Sequence, residues 1–363
     1  MLHVIYGKDS YSMVRELLES MKPEKEWNKG SLIALKPNLV VSKPSDSGAT
    51  TSPEVTRGVI EHFKDKGFSN LVIMESSWVG DSTEKAFKVC GYENLAREYN
   101  LDLFDLKKDK AVKKKGKSLT LSLCEKALEV DYLINLPVLK SHCQTRLTCA
   151  LKNLKGLIPD REKRRFHDLG LHEPIAELNF LIKTSLIIVD AVIGDLTHEE
   201  GGNPVEMGRI IGGVDPVLID SYAAELIGLD VEEIPYISMS KQLGVGNLFD
   251  KDTEVKEYRL DNYPEITLEP SPRVKRLARY IVEGGACSPC YGALIHALSR
   301  LEEKGNLGKI SDKIFIGRKF RDMESTSPGI GLCTAKFSKN ISGCPPKALD
   351  IVKYLEEHFV KNN

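Results

Sequence analysis

Short apolar runs separated by helical patterns recur through the first two-thirds of this chain, and that alternation constrains the fold more than any other feature. Residues 2–6, 32–35, 71–74, 101–104, 131–136, 186–189 and 210–213 read as strands. Helical patterns fill the gaps: one ends near Met21, others cover 83–89, 93–99 and 175–182, and another runs over 217–227 with Gly228 as its stop. Ser52-Pro53-Glu54 is a helix start, because a serine oxygen takes up a free amide and proline lacks the amide that the first turn would leave over; Gly67 is the matching stop. Strand and helix in alternation predict right-handed crossovers and an α/β fold, a mainly parallel sheet with helices on both faces.

Composition narrows the class. The 363 residues are 41% apolar and 28% charged, ordinary for a folded soluble protein. A net charge of −1 gives no global basic field, which argues against nucleic acid and anionic membrane as partners. No apolar run approaches the roughly 20 residues needed to span a bilayer, and the start carries no leader pattern, so a cytoplasmic protein is expected. In that reducing compartment eight cysteines signal metal or redox work rather than disulfides.

Four of those cysteines, Cys90, Cys124, Cys143 and Cys149, are scattered and read as small buried apolar residues. The other four lie near the end. Cys287 and Cys290 form Cys-Ser-Pro-Cys, Cys333 follows after 42 intervening residues, and Cys344 after ten more, in Gly-Cys-Pro-Pro. Thiolates are favoured beside the free amides of a helix start, and Cys290 and Cys344 each precede a helical pattern. Structural zinc prefers paired short knuckles. One Cys-x-x-Cys with distant third and fourth ligands, the last followed by proline, is closer to an iron-sulfur cradle, so a [4Fe-4S] cluster is expected, with zinc or a redox dithiol as the alternatives.

A charged, proline-punctuated stretch over 250–272 marks a boundary between a domain of 1–265 and a cluster-binding unit of 266–363. The second unit reads as a helix over 273–282, the Cys-Ser-Pro-Cys turn, another helix, a strand over 313–316, a loop with Cys333 and a final helix. It is expected to pack on the first domain and to need its metal.

In an open parallel sheet, ligands bind beyond the carboxyl ends of the strands. The residues leaving those ends are Lys36, Asn38, Glu75, Lys140, His142, Asp190 and Asp215. Lys140, Lys152 and Lys155 with Arg146 would suit a carboxylate or phosphate, and Lys36, Asn38 and Asn153 are further candidates for holding substrate. His142, His167 and His172, with Lys140 and Lys152, are the candidates for proton transfer. Seven lysines between Lys107 and Lys117 read as a solvated hairpin tip, or more sharply as a docking site for an acidic redox partner. Phosphate-loop, dinucleotide and nucleophile-elbow motifs are missing.

Several of these segments together, Lys36-Pro37-Asn38-Leu39, Gly48-Ala49-Thr50-Thr51-Ser52-Pro53-Glu54-Val55, Leu136-Pro137-Val138-Leu139-Lys140-Ser141-His142, Leu151-Lys152-Asn153-Leu154-Lys155-Gly156 and Gly213-Val214-Asp215-Pro216, resemble the DUF362 family over roughly residues 30–245. The resemblance implies an α/β fold and an association with iron-sulfur clusters. Family members often carry a ferredoxin-like cysteine run, which this chain lacks, so a cluster here would use the dispersed cysteines. A more distant similarity of the family fold to the N-terminal part of lactate racemase carries no nickel cofactor over.

The expected function is therefore an iron-sulfur oxidoreductase that acts on a small anionic substrate or exchanges electrons with a partner protein. Alternatives are a non-redox isomerase or lyase with a structural metal site, and a plain electron carrier. One cluster moves one electron, so a homodimer would supply the second for a two-electron reaction.

Overall fold

The computed structural model describes residues 1–196, 200–201, 204–264, 276–286, 288–344 and 346–359. The chain divides into two compact units, Met1–Pro270 and Ser271–Asn363.

In the first unit the strands are β1 (Leu2–Tyr6), β2 (Ile33–Pro37), β3 (Leu71–Glu75), β4 (Asp102–Asp105), β5 (Ala111–Lys115), β6 (Thr120–Cys124), β7 (Tyr132–Leu136), β8 (Lys140–His142), β9 (Arg146–Thr148), β10 (Leu186–Asp195), β11 (Pro204–Gly213) and β12 (Val255–Arg259). The helices are α1 (Ser10–Met21), α2 (Pro53–Asp65), α3 (Thr83–Val89), α4 (Tyr92–Tyr99), α5 (Ala150–Asn153), α6 (Asp160–Leu169), α7 (His172–Leu181), α8 (Pro216–Leu226) and α9 (Pro235–Gln242). Among the described residues, eight strands form one sheet in the order β12-β1-β11-β10-β7-β2-β3-β4. Pairing is parallel everywhere except on the two sides of β11. The mainly parallel α/β fold expected from the alternation is the fold observed.

Side chains that alternate along each strand sort into two cores. Ile33, Leu35, Ile73, Ile134, Leu136 and Ile188 pack against Val14 and Leu17 of α1 and Val59 and Phe63 of α2. Ala34, Val72, Met74, Leu133, Ile187 and Val189 pack with Leu178 of α7, Ile219 of α8 and Ile237 of α9. A period of two cannot bury both sets unless helices cover both faces. Helix α2 starts as its sequence dictates: the Ser52 hydroxyl accepts from Glu54 N at 3.2 Å, and Pro53 occupies the first turn.

One expectation about the sheet is corrected. β10 and β11 are ten residues each and run antiparallel, with Ile187 opposite Gly213 and Asp195 opposite Pro204. Asp215, which follows β11, therefore leaves the sheet at the end opposite to Lys36 and Glu75. There it is a helix cap, accepting from Val217 N and Leu218 N at 2.9 and 3.0 Å.

The second unit holds four short parallel strands in sequential order: β13 (Ile281–Glu283), β14 (Ile314–Ile316), β15 (Pro328–Ile330) and β16 (Lys339–Ile341). Helices Ser288–Glu303 and Ala348–Phe359 accompany them. Leu294, Leu298, Ile314, Ile316, Ile351 and Leu355 share one core. The helix expected over 273–282 gives way to β13 at its end. β15 and β16 were not expected, because Pro328-Gly329 and Lys339-Asn340 hide three-residue strands from any periodicity. The final helix begins at Ala348, so Pro346 precedes it instead of filling its first turn; Pro345 lies outside the described residues.

Candidate functional site

The carboxyl ends of β2, β3 and β7 converge on buried polar groups. β2 delivers Lys36, whose side chain is fully enclosed, and β3 delivers Glu75. The Lys36 ammonium donates to Glu75 Oε2 at 2.7 Å, to the Pro37 carbonyl at 2.9 Å and to Asn153 Oδ1 at 3.3 Å. An ammonium has three donors, so none remains for a ligand. Lys36, expected among the substrate-binding residues, is a structural cation. Burial holds its pKa below the ordinary lysine value, and Glu75 works against that shift. Glu75 also accepts from Leu39 N at 3.1 Å and Ser76 N at 2.7 Å, so both of its oxygens are engaged.

Asn153 sits at the end of α5 and extends the network. Its amide nitrogen donates to Asn135 Oδ1 at 2.7 Å, and Asn135 donates to Ala150 O at 2.9 Å, which ties α5 to β7. Gly156 closes over the pair. A Cβ there would fall 1.8 Å from Glu75 Oε1 and 2.6 Å from Lys36 Nζ, so only glycine fits.

Lys140 and His142 stand on the β8–β9 hairpin. Lys140 is buried and donates to Asn38 Oδ1 at 3.2 Å and to the Ala49 carbonyl. The Asn38 backbone is locked to Thr51, its N–H donating to Thr51 Oγ1 at 2.8 Å and its carbonyl accepting from Thr51 N at 3.0 Å. His142 Nδ1 accepts from Gln144 N and Thr145 N, both at 3.1 Å. The neutral imidazole must then carry its proton on Nε2. Of the expected residues, the fold joins Lys36 to Asn153 and Lys140 to Asn38.

The others lie further out. Arg146, opposite His142 on the hairpin, is exposed, with its guanidinium 3.9 Å from Glu233. Lys152 and Lys155 are half-buried, the former donating to Thr148 Oγ1 at 3.1 Å. His167 is half-buried in the last turn of α6, and His172, opening α7, stacks on Tyr236 with ring centroids 6.0 Å apart. Burial lowers the His172 pKa. The lysine run forms the β5–β6 hairpin, where Lys113, Lys114 and Lys115 are exposed.

Two buried ionisable groups escaped the sequence reading, and a third was read for its position alone. Lys163 of α6 donates to the carbonyls of Ser76 and Ser77 at 3.0 and 2.6 Å, and burial lowers its pKa to about 8. Asp220 of α8 accepts from Ala150 N at 2.7 Å and Leu151 N at 3.2 Å, and burial raises it to about 7. Asp190 was read only as a strand exit; it accepts from Ser52 N at 2.8 Å and Val192 N at 3.2 Å, and burial raises it to about 6. Lys163 gave no sequence signal inside Asp-Arg-Glu-Lys-Arg-Arg, and Asp220 none inside an apolar helix.

The second unit repeats the geometry with different chemistry. Ala286 follows β13, Gly317 follows β14, Gly331 to Cys333 follow β15, and Gly343 and Cys344 follow β16. With Cys290, in the first turn of helix Ser288–Glu303, they line a small, solvent-open pocket. Gly317 has φ +124°, and a Cβ there would fall 2.3 Å from Gly284 O, so the wall closes only around glycine. Arg321 Nη2 is 4.0 Å from Cys333 Sγ. Cys287 lies outside the described residues. Among those described, no three His, Cys, Asp or Glu side chains converge tightly enough for a single ion. The remaining cysteines fit the bland expectation in part: Cys90, Cys124 and Cys149 are buried, the Cys124 thiol pushed up to about 12 by burial, and Cys143 is half-buried.

Removing one member of the Lys36–Glu75 pair leaves a buried charge unpaired, so Lys36→Met or Glu75→Gln should each cost about 3–5 kcal/mol in denaturant unfolding. The double variant Lys36→Met/Glu75→Leu should cost less than the sum. Gly156→Ala should lose at least about 1–3 kcal/mol by overpacking. A raised carboxyl pKa means that the folded chain holds its proton more tightly than the unfolded chain. Asp190 and Asp220 should therefore make stability fall as pH rises from about 4 to about 7 and level off above. Asp220→Asn should flatten the upper part of that slope in pH-resolved unfolding.

The chain is 27% identical over 243 residues to the thylakoid-associated protein sll1697 of Synechocystis sp. (strain ATCC 27184 / PCC 6803 / Kazusa), an alignment covering 64% of this chain and 74% of that protein. The lactate racemase apoprotein from Thermoanaerobacterium thermosaccharolyticum superposes with a TM-score of 0.40 and 12% identity, over 64% of this chain and 57% of the racemase. Among the described residues, no helix is long and apolar enough to cross a membrane. Residues 33–225, more than half of the chain and the span that holds Lys36, Glu75, Lys140 and Asn153, match the domain of unknown function DUF362, and the chain belongs to that family.

Proposed function

We propose that this protein is an iron-sulfur oxidoreductase in which the thiolates of Cys287, Cys290, Cys333 and Cys344 hold a [4Fe-4S] cluster, exchanging electrons with a partner protein or a small anionic substrate. One observation carries the reading: Cys290, Cys333 and Cys344, from separate segments of the chain, line one cavity at the carboxyl edge of a parallel sheet. Thiols set around one pocket, with no three ligand side chains among the described residues converging tightly enough for a single ion, suit a larger body. Bound there, the cluster would supply one-electron transfer.

The residues of this chain have definable parts in that arrangement. The amides at the start of helix Ser288–Glu303 lie beside Cys290, and the Arg321 guanidinium lies 4.0 Å from Cys333 Sγ; both would offset the negative charge of a bound cluster. Gly317 and Gly331 keep side chains off the cavity wall. A reducing compartment such as the cytoplasm would keep the thiols available. In the first unit a small anion would have to be met by residues other than Lys36, whose three donors are taken.

The test is anaerobic purification with analysis of iron, sulfide and zinc. About four irons and four sulfides per chain, with visible absorbance that bleaches under dithionite, are expected. Cys333→Ser and Cys344→Ser should each lower iron content and absorbance, whereas Cys90→Ser should not. A colourless protein carrying stoichiometric zinc would overturn the redox reading.

A further inference from the structure

Charge is distributed unevenly along this near-neutral chain. Residues 271–363 hold 16 Lys and Arg against nine Asp and Glu, while residues 1–270 hold 35 against 43. The excess in the second unit includes a patch beside the thiols. After β14 the chain runs Arg318-Lys319-Phe320-Arg321, with the three cations exposed and Arg321 Nη2 4.0 Å from Cys333 Sγ. Lys336, three positions past Cys333, is exposed and paired with Asp322 at 3.0 Å, and Lys347, three past Cys344, is exposed. Leu332, next to Cys333, is 55% exposed, a large apolar side chain at the mouth of the cavity.

We infer that this face, around Cys333, is the docking surface for an acidic one-electron carrier protein. The inference rests on the iron-sulfur reading of the same cavity. Electron transfer falls steeply with distance, so a carrier must bring its redox centre close to the thiols, and Cys333 and Cys344 are among the cavity residues that reach the surface. Exposed cations close to Cys333 in the chain steer an acidic protein to that spot, while the exposed Leu332 offers the apolar contact around which protein interfaces form. Asp322 and Glu324 interrupt the cations. That mixed pattern fits a protein surface better than an anionic bilayer or a phosphate backbone, both of which reward unbroken positive charge.

The test uses the full chain, purified anaerobically, and an acidic flavodoxin as the probe. Binding is measured by calorimetry and relaxation in the chemical shifts of the labelled probe. Affinity should fall about tenfold or more between about 0.05 M and about 0.5 M salt. Arg318→Glu/Lys319→Glu/Arg321→Glu should abolish binding at low salt. Lys319→Glu/Lys336→Glu, which leaves the arginine beside Cys333 in place, should weaken it about tenfold with iron content and visible spectrum unchanged. The variant Lys113→Glu/Lys114→Glu/Lys115→Glu makes the same change in net charge as the first on the β5–β6 hairpin and should bind normally. Equal loss in the hairpin variant would show that net charge alone acts and would overturn the proposal. So would salt-independent binding, or flavodoxin left unbound while anionic phosphatidylglycerol vesicles are bound through the same residues. Absence of iron and sulfide in the starting protein would instead sink the iron-sulfur reading, whichever way the binding falls.

Discussion

The first unit depends on one buried ion pair. Lys36 and Glu75 lie on adjacent parallel strands, both out of water, and such a pair is tolerable only if every remaining donor and acceptor is satisfied. Satisfying them recruits the surrounding chain. Asn153 must reach back from α5, the loop after β2 must present Leu39 N, Ser76 must turn its amide inward, and residue 156 must have no side chain. A buried pair of this kind adds little net stability over an apolar replacement. What it does is exclude other arrangements of the same strands and loops, since any slip strands a charge.

Seen this way, several residues that looked like ligands for something else are ligands for each other. A lysine and an asparagine at a strand exit have the same sequence appearance whether they face solvent or an internal carboxylate. What decided the matter was Glu75, which leaves the neighbouring strand one position beyond Met74 and was noted only as another exit residue. Lys140 has among its partners an amide oxygen and a backbone carbonyl. His142 differs again, since its Nδ1 accepts from two backbone amides.

The fold was legible because it is written in periodicity. Val72 and Ile73 can be assigned to opposite faces from their alternation, and Ser52-Pro53 names a helix start in two residues. The antiparallel course of β11 was not legible, because Ile210, Ile211 and their glycines read the same in either direction; its direction is set by the long pairing with β10. That single reversal moved Asp215 to the wrong edge for a ligand. Lys163, Asp190 and Asp220 were obscure for a related reason: burial, which shifts their pKa, is a tertiary property that a lysine among arginines or an aspartate in a helix does not announce.

The same rule of parallel sheets operates in both units with opposite chemical results. Strand dipoles, helix starts and short loops gather at the carboxyl edge, so that edge can accommodate polar groups that the rest of a sheet excludes. In the first unit Lys36, Glu75, Asn135 and Asn153 meet one another's polar groups at that edge. In the second unit β14, β15 and β16 are followed by glycines at 317, 331 and 343, and the edge stays open as a cavity with sulfur on its walls. Strands of three residues bury little apolar area, so a cavity at their end is a poor choice for stability alone. Its retention beside three thiols is understandable if the space is there to be filled by something the thiols hold.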